Sequence, residues 1–191
     1  FGLINIKNLG LITDDWSYFR TLRSGDGRSY KELLDFKFQK NALGYTLSRP
    51  LGLVTSIAQL SLFGDNVVLH HVWIFFLFFS CLVLLYEVLL KIFGSENLSL
   101  LLILVFISLP FHTSTYYWLA TRVSIYGFFF ALVSFRLLLS KKGFLRRVLG
   151  PIALGLSISG YEIFLAFVPL YFYLVLFTDV VFEKNLKNKL L

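Results

Sequence analysis

Long stretches of this 191-residue chain carry almost no charge, and this constrains the fold more than any other feature of the sequence. Residues 51–178 contain 11 of the 29 charged side chains, whereas residues 1–50 contain 13 of them. The whole chain is 57% hydrophobic and 15% charged, against about 25% charged residues in ordinary soluble domains. This composition excludes intrinsic disorder, which requires low hydrophobicity and high charge, and it is typical of a membrane protein.

Four apolar segments are candidates for membrane helices, since about 20 apolar residues cross the hydrocarbon layer of a bilayer as a helix. They are residues 72–90, 98–111, 123–140 and 148–177. A fifth apolar segment, residues 51–63, is too short to cross and predicts an interfacial or re-entrant helix.

The last of these segments is too long for one helix perpendicular to the membrane, and Glu162 interrupts it next to Gly160 and Tyr161. We therefore expect two short helices, residues 148–160 and 163–178, that meet at a bend; one tilted helix is the alternative. Together the segments predict an all-α fold, a polytopic transmembrane bundle of about five membrane helices plus an interfacial helix.

The charges divide the chain into a polar region of residues 1–50, a transmembrane domain of residues 51–178 and a basic tail of residues 179–191. Basic residues collect in short cytoplasmic loops, and the loop 141–147 is the most basic short one. Placing this loop inside the cell puts the polar region and residues 112–122 outside. The net charge of +7 then follows mainly from topology, and we expect no nucleic acid among the partners.

Five side chains that topology does not explain fall on the predicted outer face, together with His112 of the second outer loop: Asp14, Asp15, Arg49, Arg122 and Glu162. Paired carboxylates bind divalent metals or act as a base, and arginine holds phosphate through paired N–H groups. Structural alternatives remain open, because an Asp-Asp pair suits a helix cap and Arg49-Pro50 suits a helix start.

Ionisable side chains inside apolar segments are costly and usually face the protein interior or water. Glu162 lies near the middle of such a segment, which favours a functional role. Glu87 lies nearer the inner end of residues 72–90, and Lys91 follows it by four residues. This spacing predicts a structural ion pair along one helix.

Several of these residues occur in an order that resembles a known family. Asp14-Asp15-Trp-Ser-Tyr is followed by Ser-Arg49-Pro50-Leu, by a His-bearing entrance to a span, by a Pro-aromatic loop that ends at Arg122, and by Gly-Tyr161-Glu162. The set resembles the N-terminal part of the GT-C-type polytopic membrane glycosyltransferases, which include the protein O-mannosyltransferases and aminoarabinose transferases. The resemblance covers residues 12–178. Where relatives often have Ser-Lys-Glu, this chain has Ser-Gly-Tyr161-Glu162 and lacks the lysine.

The resemblance implies a transferase that moves a sugar from a polyprenyl-phosphate donor to a protein or glycan acceptor on the extracytoplasmic face. Asp14 or Asp15 would be the catalytic base, or the two would bind a divalent metal, Mg²⁺ or Mn²⁺. Arg49 and Arg122 would neutralise the phosphate leaving group, His112 would contribute to substrate binding, and Glu162 would position one of these groups. Membrane lipid is the other expected partner.

Two other functions stay open at this point: a transporter or channel subunit, since broken helices and intramembrane charge also suit solute sites, and a non-catalytic membrane scaffold. We expect a multi-pass location in the bacterial plasma membrane, with the endoplasmic reticulum as the second choice. We also expect the chain to be part of a longer protein, because it contains no methionine.

Overall fold

The computed structural model describes residues 49–64, 66–109, 122–140 and 144–176. Three of the predicted site residues, Asp14, Asp15 and His112, lie outside the described residues, as do nearly all of the predicted polar region and the whole basic tail.

Every regular element in the described part of the chain is helical, which confirms the all-α prediction. The helices are α1 (Pro50–Phe63), α2 (Val67–Phe93), α3 (Glu96–Ser108), α4 (Arg122–Leu138), α5 (Gly150–Gly160) and α6 (Glu162–Leu176). A π-helical turn, Leu145–Leu149, precedes α5, and the first turn of α6, Glu162–Ala166, is a 3-10 helix. Of the two arrangements expected for the last apolar segment, the two-helix version is therefore confirmed.

Local sequence signals set the ends of α2 and α3. The Asn66 side chain caps α2 by accepting a hydrogen bond from the backbone N–H of Leu69, and Gly94 ends the helix with a φ of 66°. A left-handed residue is inexpensive only as glycine, which explains Gly94 at this position. The Ser95 hydroxyl then accepts from the N–H of Leu98 and starts α3 at once. The chain therefore reverses direction sharply between α2 and α3.

Among the described helices only α2 is both long enough and apolar enough to cross a membrane, by length and composition. Its 27 residues extend about 40 Å at 1.5 Å per residue, which exceeds a hydrocarbon layer of about 30 Å. The other apolar helices, Pro50–Phe63, Glu96–Ser108, Arg147–Gly160 and Glu162–Leu176, are shorter. The expected number of membrane helices therefore stays a prediction.

Helices α2 and α4 run in the same direction, as two side-chain contacts near their opposite ends show. Near their starts, the Trp73 indole N–H donates to the Tyr126 hydroxyl over 2.6 Å. Near their ends, Arg136 forms an ion pair with Glu87. We call the end with Trp73 and Tyr126 the upper end of the bundle and the end with Glu87 and Arg136 the lower end.

The Glu87 ion pair corrects one expectation. Glu87 bonds to Arg136 on a neighbouring helix rather than to Lys91 one turn along its own helix. The sequence spacing identified a partner of the right charge, but the packing of α2 against α4 supplies a closer one. The pair ties two helices together instead of stabilising one of them.

Small residues let α4 and α5 approach closely, and two serine hydroxyls bond across the contact. Ser134 donates to the carbonyl of Gly150 and Ser157 donates to the carbonyl of Gly127, which makes the two helices antiparallel. A Cβ atom added at Gly160 would lie 3.2 Å from the Cα of Gly127, closer than ordinary van der Waals contact. Hydrogen bonds and close backbone contact of this kind also hold helices together in lipid, where burial of apolar surface gives no driving force for association.

Helix α6 returns beside α4, so that α4, α5 and α6 form one packed layer. Phe167 and Tyr171 of α6 have ring centroids 5.6 Å and 6.2 Å from that of Phe135 on α4. Val88 of α2 and Leu138 of α4 pack with Phe135 and Tyr171, and we call this group the lower core.

The upper core lies between α1, α2 and α4 and contains the buried residues Ile57, Leu60, Ile74, Leu77, Cys81, Ile125, Tyr126 and Leu132.

Large apolar side chains lie on the outer surface of the bundle as well as in its core. Only 28% of the most apolar stretch of α2 is buried, so α2 differs from the core helix of a soluble protein, which is mostly buried. Exposed leucine, isoleucine, valine and phenylalanine side chains also line the outer faces of α3 and α6. Soluble monomers rarely expose apolar patches of this extent, which mark membrane or protein contacts.

We expect Gly127→Ala to destabilise the fold by about 1–3 kcal/mol, because its Cβ would overlap the ring of Phe164 in a packed core. The matched control is Gly155→Ala, where an added Cβ has no atom within 4 Å. That variant should be unchanged or more stable by up to about 1 kcal/mol, since alanine favours helix. Thermal unfolding of both variants in detergent measures the difference, and equal midpoints would contradict the described α4–α5–α6 contact.

Candidate functional site

Three helix ends meet at the upper end of the bundle. Pro50 starts α1, Arg122 starts α4, and α5 gives way to α6 between Gly160 and Glu162. A Cβ atom added at Gly52 of α1 would lie 2.7 Å from a methyl group of Val123 on α4. One added at Gly160 would lie 3.3 Å from a methyl group of Leu51. We call this meeting point, formed by residues 49–52, 122–127 and 160–162, the upper junction.

The central contact of the upper junction is a two-point ion pair between Arg49 and Glu162, which are 113 residues apart in the chain. Arg49 Nε donates to Glu162 Oε2 over 2.8 Å, and Arg49 Nη2 donates to Glu162 Oε1 over 2.5 Å. The fork of the guanidinium matches the two carboxylate oxygens, which is the strongest geometry for such a pair. The pair fixes the start of α1 to the start of α6.

Tyr161 completes this cluster. It separates α5 from α6 in an extended conformation, with φ −155° and ψ 126°. Its ring lies under the Arg49 guanidinium, with the carbon of that group 4.1 Å from the ring centroid. Stacking on an aromatic ring and bonding to a carboxylate hold the guanidinium in one orientation. Sequence analysis did not select Tyr161 as a site residue, although its position in the helix break was visible.

Glu162 takes only one edge of the guanidinium. Nε and Nη2 donate to Glu162, whereas Nη1 of Arg49 makes no hydrogen bond within the part of the chain that the structure describes. Arginine presents five N–H donors in a planar fork, so the edge formed by Nη1 and Nη2 can still bind an anion in two-point fashion. The Arg49 side chain is 28% exposed and that of Glu162 is 57% exposed. The cluster is therefore within reach of solvent or ligand.

The ion pair also sets the ionisation of Glu162. Hydrogen bonds from Arg49 lower the pKa of the Glu162 carboxyl to about 2, from an ordinary value of 4.5. The same bonds raise the pKa of Arg49. Both groups are therefore fully charged at neutral pH.

The structure brings some of the predicted site residues together and leaves others undescribed. Arg49 and Glu162 are in direct contact, and Arg122 lies in the same junction at the start of α4. Arg122 is only 2% exposed, so it lies inside the bundle and Arg49 at its surface. Asp14, Asp15 and His112 lie outside the described residues, and their roles stay predictions.

Buried polar side chains near the upper end were not predicted as a group. His70 is fully buried, and one of its ring nitrogens, Nε2, lies 3.0 Å from the carbonyl oxygen of Gly64. Its ring also meets that of Phe63 edge to face, at 5.4 Å. Gln59 is 2% exposed, and neither the oxygen nor the nitrogen of its amide has a hydrogen-bond partner among the described residues. No feature of the sequence predicted the burial of Gln59, because a single glutamine in an apolar helix is ordinarily expected to be exposed.

No group of three His, Cys, Asp or Glu side chains within the described ranges is arranged to hold a metal ion. The predicted metal ligands, Asp14 and Asp15, belong to the undescribed part of the chain. Cys81 is fully buried in the upper core and acts there as a packing residue.

No protein-family model, curated protein or solved structure matches this chain. The resemblance to GT-C-type transferases therefore rests on the residues of the sequence alone.

The stability that the Arg49–Glu162 pair contributes should depend on acid pH. Because the pKa of Glu162 is lowered by folding, the contribution is complete above pH 4.5 and is lost as the pH falls toward about 2. We expect the difference in thermal unfolding midpoint between the wild type and Glu162→Gln to be constant from pH 5 to 8 and to shrink below pH 4.5. The control is Glu96→Gln, which removes an exposed carboxylate that is also in the first turn of a helix and that forms no ion pair within the described residues. A difference that persists unchanged at pH 2.5 would contradict the described pair.

Proposed function

We propose that this chain is part of a membrane glycosyltransferase that moves a sugar from a polyprenyl-phosphate donor to an acceptor on the extracytoplasmic face. The observation that carries the proposal is the upper junction, where Arg49 is held by Glu162 and Tyr161 and one edge of its guanidinium makes no hydrogen bond to the described residues. Such an arginine suits the phosphate group of a donor lipid.

The apolar exterior supports a membrane location. Helix α2 has the length and composition of a membrane span, and its apolar stretch is mostly exposed. In the proposed topology α2 crosses the bilayer and α3 to α6 pack beside it, with the upper junction facing outward. A polyprenyl tail would lie against the exposed apolar faces while its phosphate reaches Arg49.

Arg49 would act on the leaving group. When the bond between sugar and phosphate breaks, negative charge develops on the phosphate oxygens, and fixed positive groups that face this charge lower the barrier. Two N–H groups of Arg49 would donate hydrogen bonds to two of these oxygens. Glu162 and Tyr161 would act as positioning residues, because they hold the guanidinium before substrate binds and do not touch the reacting atoms.

Asp14 and Asp15 would act on the acceptor substrate. One of them would remove the proton from the acceptor hydroxyl, for which the carboxylate must lie within hydrogen-bond reach. The alternative is that the pair binds Mg²⁺ or Mn²⁺, whose oxygen-rich coordination suits carboxylates. Arg122 and His112 would complete the donor site, with Arg122 as a second positive charge behind Arg49.

A transporter is the second candidate, and the helix break favours it. Discontinuous helices whose N-termini point at an anionic group line the substrate sites of many secondary transporters. The start of α6 at Glu162, next to the start of α1, has this general form. Uptake of an anionic solute into vesicles without release of a lipid phosphate would favour the transporter over the transferase.

For the transferase, we expect Asp14→Asn, Asp15→Asn and Arg49→Lys in the full-length protein each to lower sugar transfer by about a hundredfold or more. Asparagine cannot accept the proton, and lysine keeps the charge of Arg49 but loses the two-point geometry. Transfer from a radiolabelled polyprenyl-phosphate sugar in membranes measures the effect. The matched control is Arg147→Lys, the same substitution at an exposed position just before α5, which should transfer at the wild-type rate. Wild-type turnover in both aspartate variants would exclude their assigned role.

A further inference from the structure

Buried polar side chains in the described ranges fall into two groups. Ser99, Ser134 and Ser157 each donate a hydrogen bond to a backbone carbonyl and tie helical segments together. The others are concentrated at the upper end, on α1 and in the first turns of α2 and α4: Ser56, Gln59, His70, His71 and Arg122. Polar side chains collected inside an otherwise apolar bundle are costly, and they usually mark a functional position.

Gln59 differs from its polar neighbour on α1. The Ser56 hydroxyl donates to the carbonyl of Gly52, so its hydrogen bond is made within its own helix. Gln59 is 2% exposed, and neither its amide oxygen nor its amide nitrogen has a partner among the described residues. A side-chain amide offers two N–H donors and one acceptor oxygen. Buried polar groups nearly always have a partner, because an unpaired one keeps the full cost of leaving water.

Contacts near both ends of α1 keep the amide inside the bundle. Gly52 lies against Val123 of α4, and the ring of Phe63 meets that of His70 on α2 edge to face, at 5.4 Å. Gln59 follows Gly52 by seven residues and precedes Phe63 by four, so these three residues lie on one face of the helix. A rotation of α1 that exposed Gln59 would break both contacts. The amide is therefore held between α2 and α4.

We propose that the Gln59 amide binds a neutral hydroxyl ligand inside the upper end of the bundle. A hydroxyl group both donates and accepts hydrogen bonds, so it matches the donors and the acceptor of an amide. It also carries no charge, which lowers the cost of placing it in an apolar core. Water and a sugar hydroxyl of the donor lipid both have this chemistry. The site itself does not depend on the proposed function, whereas its assignment to the sugar does.

Selective labelling makes the amide directly observable. The chain contains two glutamines, Gln39 and Gln59, so glutamine labelled with ¹⁵N in the side chain gives two NH₂ signals. The variant Gln59→Met loses one of them and thereby assigns it. The full chain is placed in lipid nanodiscs, and cross-peaks from the Gln59 amide protons are recorded without donor lipid, with polyprenyl phosphate and with polyprenyl-phosphate mannose.

A cross-peak to water in the absence of donor lipid identifies water as the ligand. A cross-peak to mannose protons, which polyprenyl phosphate alone cannot give, identifies the sugar. Water without mannose supports the site and rejects the sugar as its ligand, while the transferase itself is tested separately by sugar transfer. An amide with neither cross-peak overturns the proposal.

Thermal unfolding of Gln59→Met in detergent provides a second measurement. Methionine has nearly the same length and helix propensity as glutamine, but it lacks the amide. If water is bound, we expect the midpoint to fall by several degrees. If the sugar is bound, the variant should lose the extra stabilisation that polyprenyl-phosphate mannose gives over polyprenyl phosphate. The matched control is Ala58→Met, at the adjacent exposed position, which should behave as the wild type. A higher midpoint for Gln59→Met with an unchanged response to both lipids is expected of an amide without a ligand, and would reject the site.

Discussion

The close approach of α4 and α5 at Gly127 and Gly160 determines the position of the charged groups at the upper end. Without side chains at these two points, the end of α5 comes against α4, and the break that follows is directed toward α1. Leu51 touches the same place from the other side. The Arg49–Glu162 pair is thus a consequence of backbone packing, since neither residue would reach the other if α5 lay a few ångströms further from α4.

The two interhelical ion pairs of the described structure have different surroundings and different roles. Glu87 and Arg136 join two helices that are already in contact over much of their length. Arg49 and Glu162 join a short helix to a helix break, and Tyr161 stacks beneath them. The Glu87–Arg136 pair therefore has a structural role, which is to hold α2 and α4 together. The second pair leaves Nη1 of an oriented arginine without a hydrogen bond to any described residue, which supports the proposed binding role of Arg49.

Much of the helical framework was predictable, because apolar segments and their interruptions are local properties of the sequence. The segments 51–63 and 123–140 correspond closely to α1 and α4, and Glu162 marked the break between α5 and α6. The partners of the charges were less predictable. Glu87 was assigned to Lys91 because helix periodicity is local, whereas Arg136 is brought to it by tertiary packing. Tyr161 and Gln59 were missed for the same reason, because the stacking of Arg49 on Tyr161 and the burial of Gln59 arise from tertiary packing.

The Glu87–Arg136 pair has a consequence for assembly. The two residues are 49 positions apart, so a ribosome that delivers helices in order releases α2 with its carboxylate before α4 exists to neutralise it. Until α4 is made, the nearest opposite charge along the chain is Lys91, four residues after Glu87 on the same helix. Once α4 packs against α2, Arg136 becomes the hydrogen-bond partner of Glu87. The pair then acts together with the Trp73–Tyr126 bond and the shared core in fixing how the two helices are aligned.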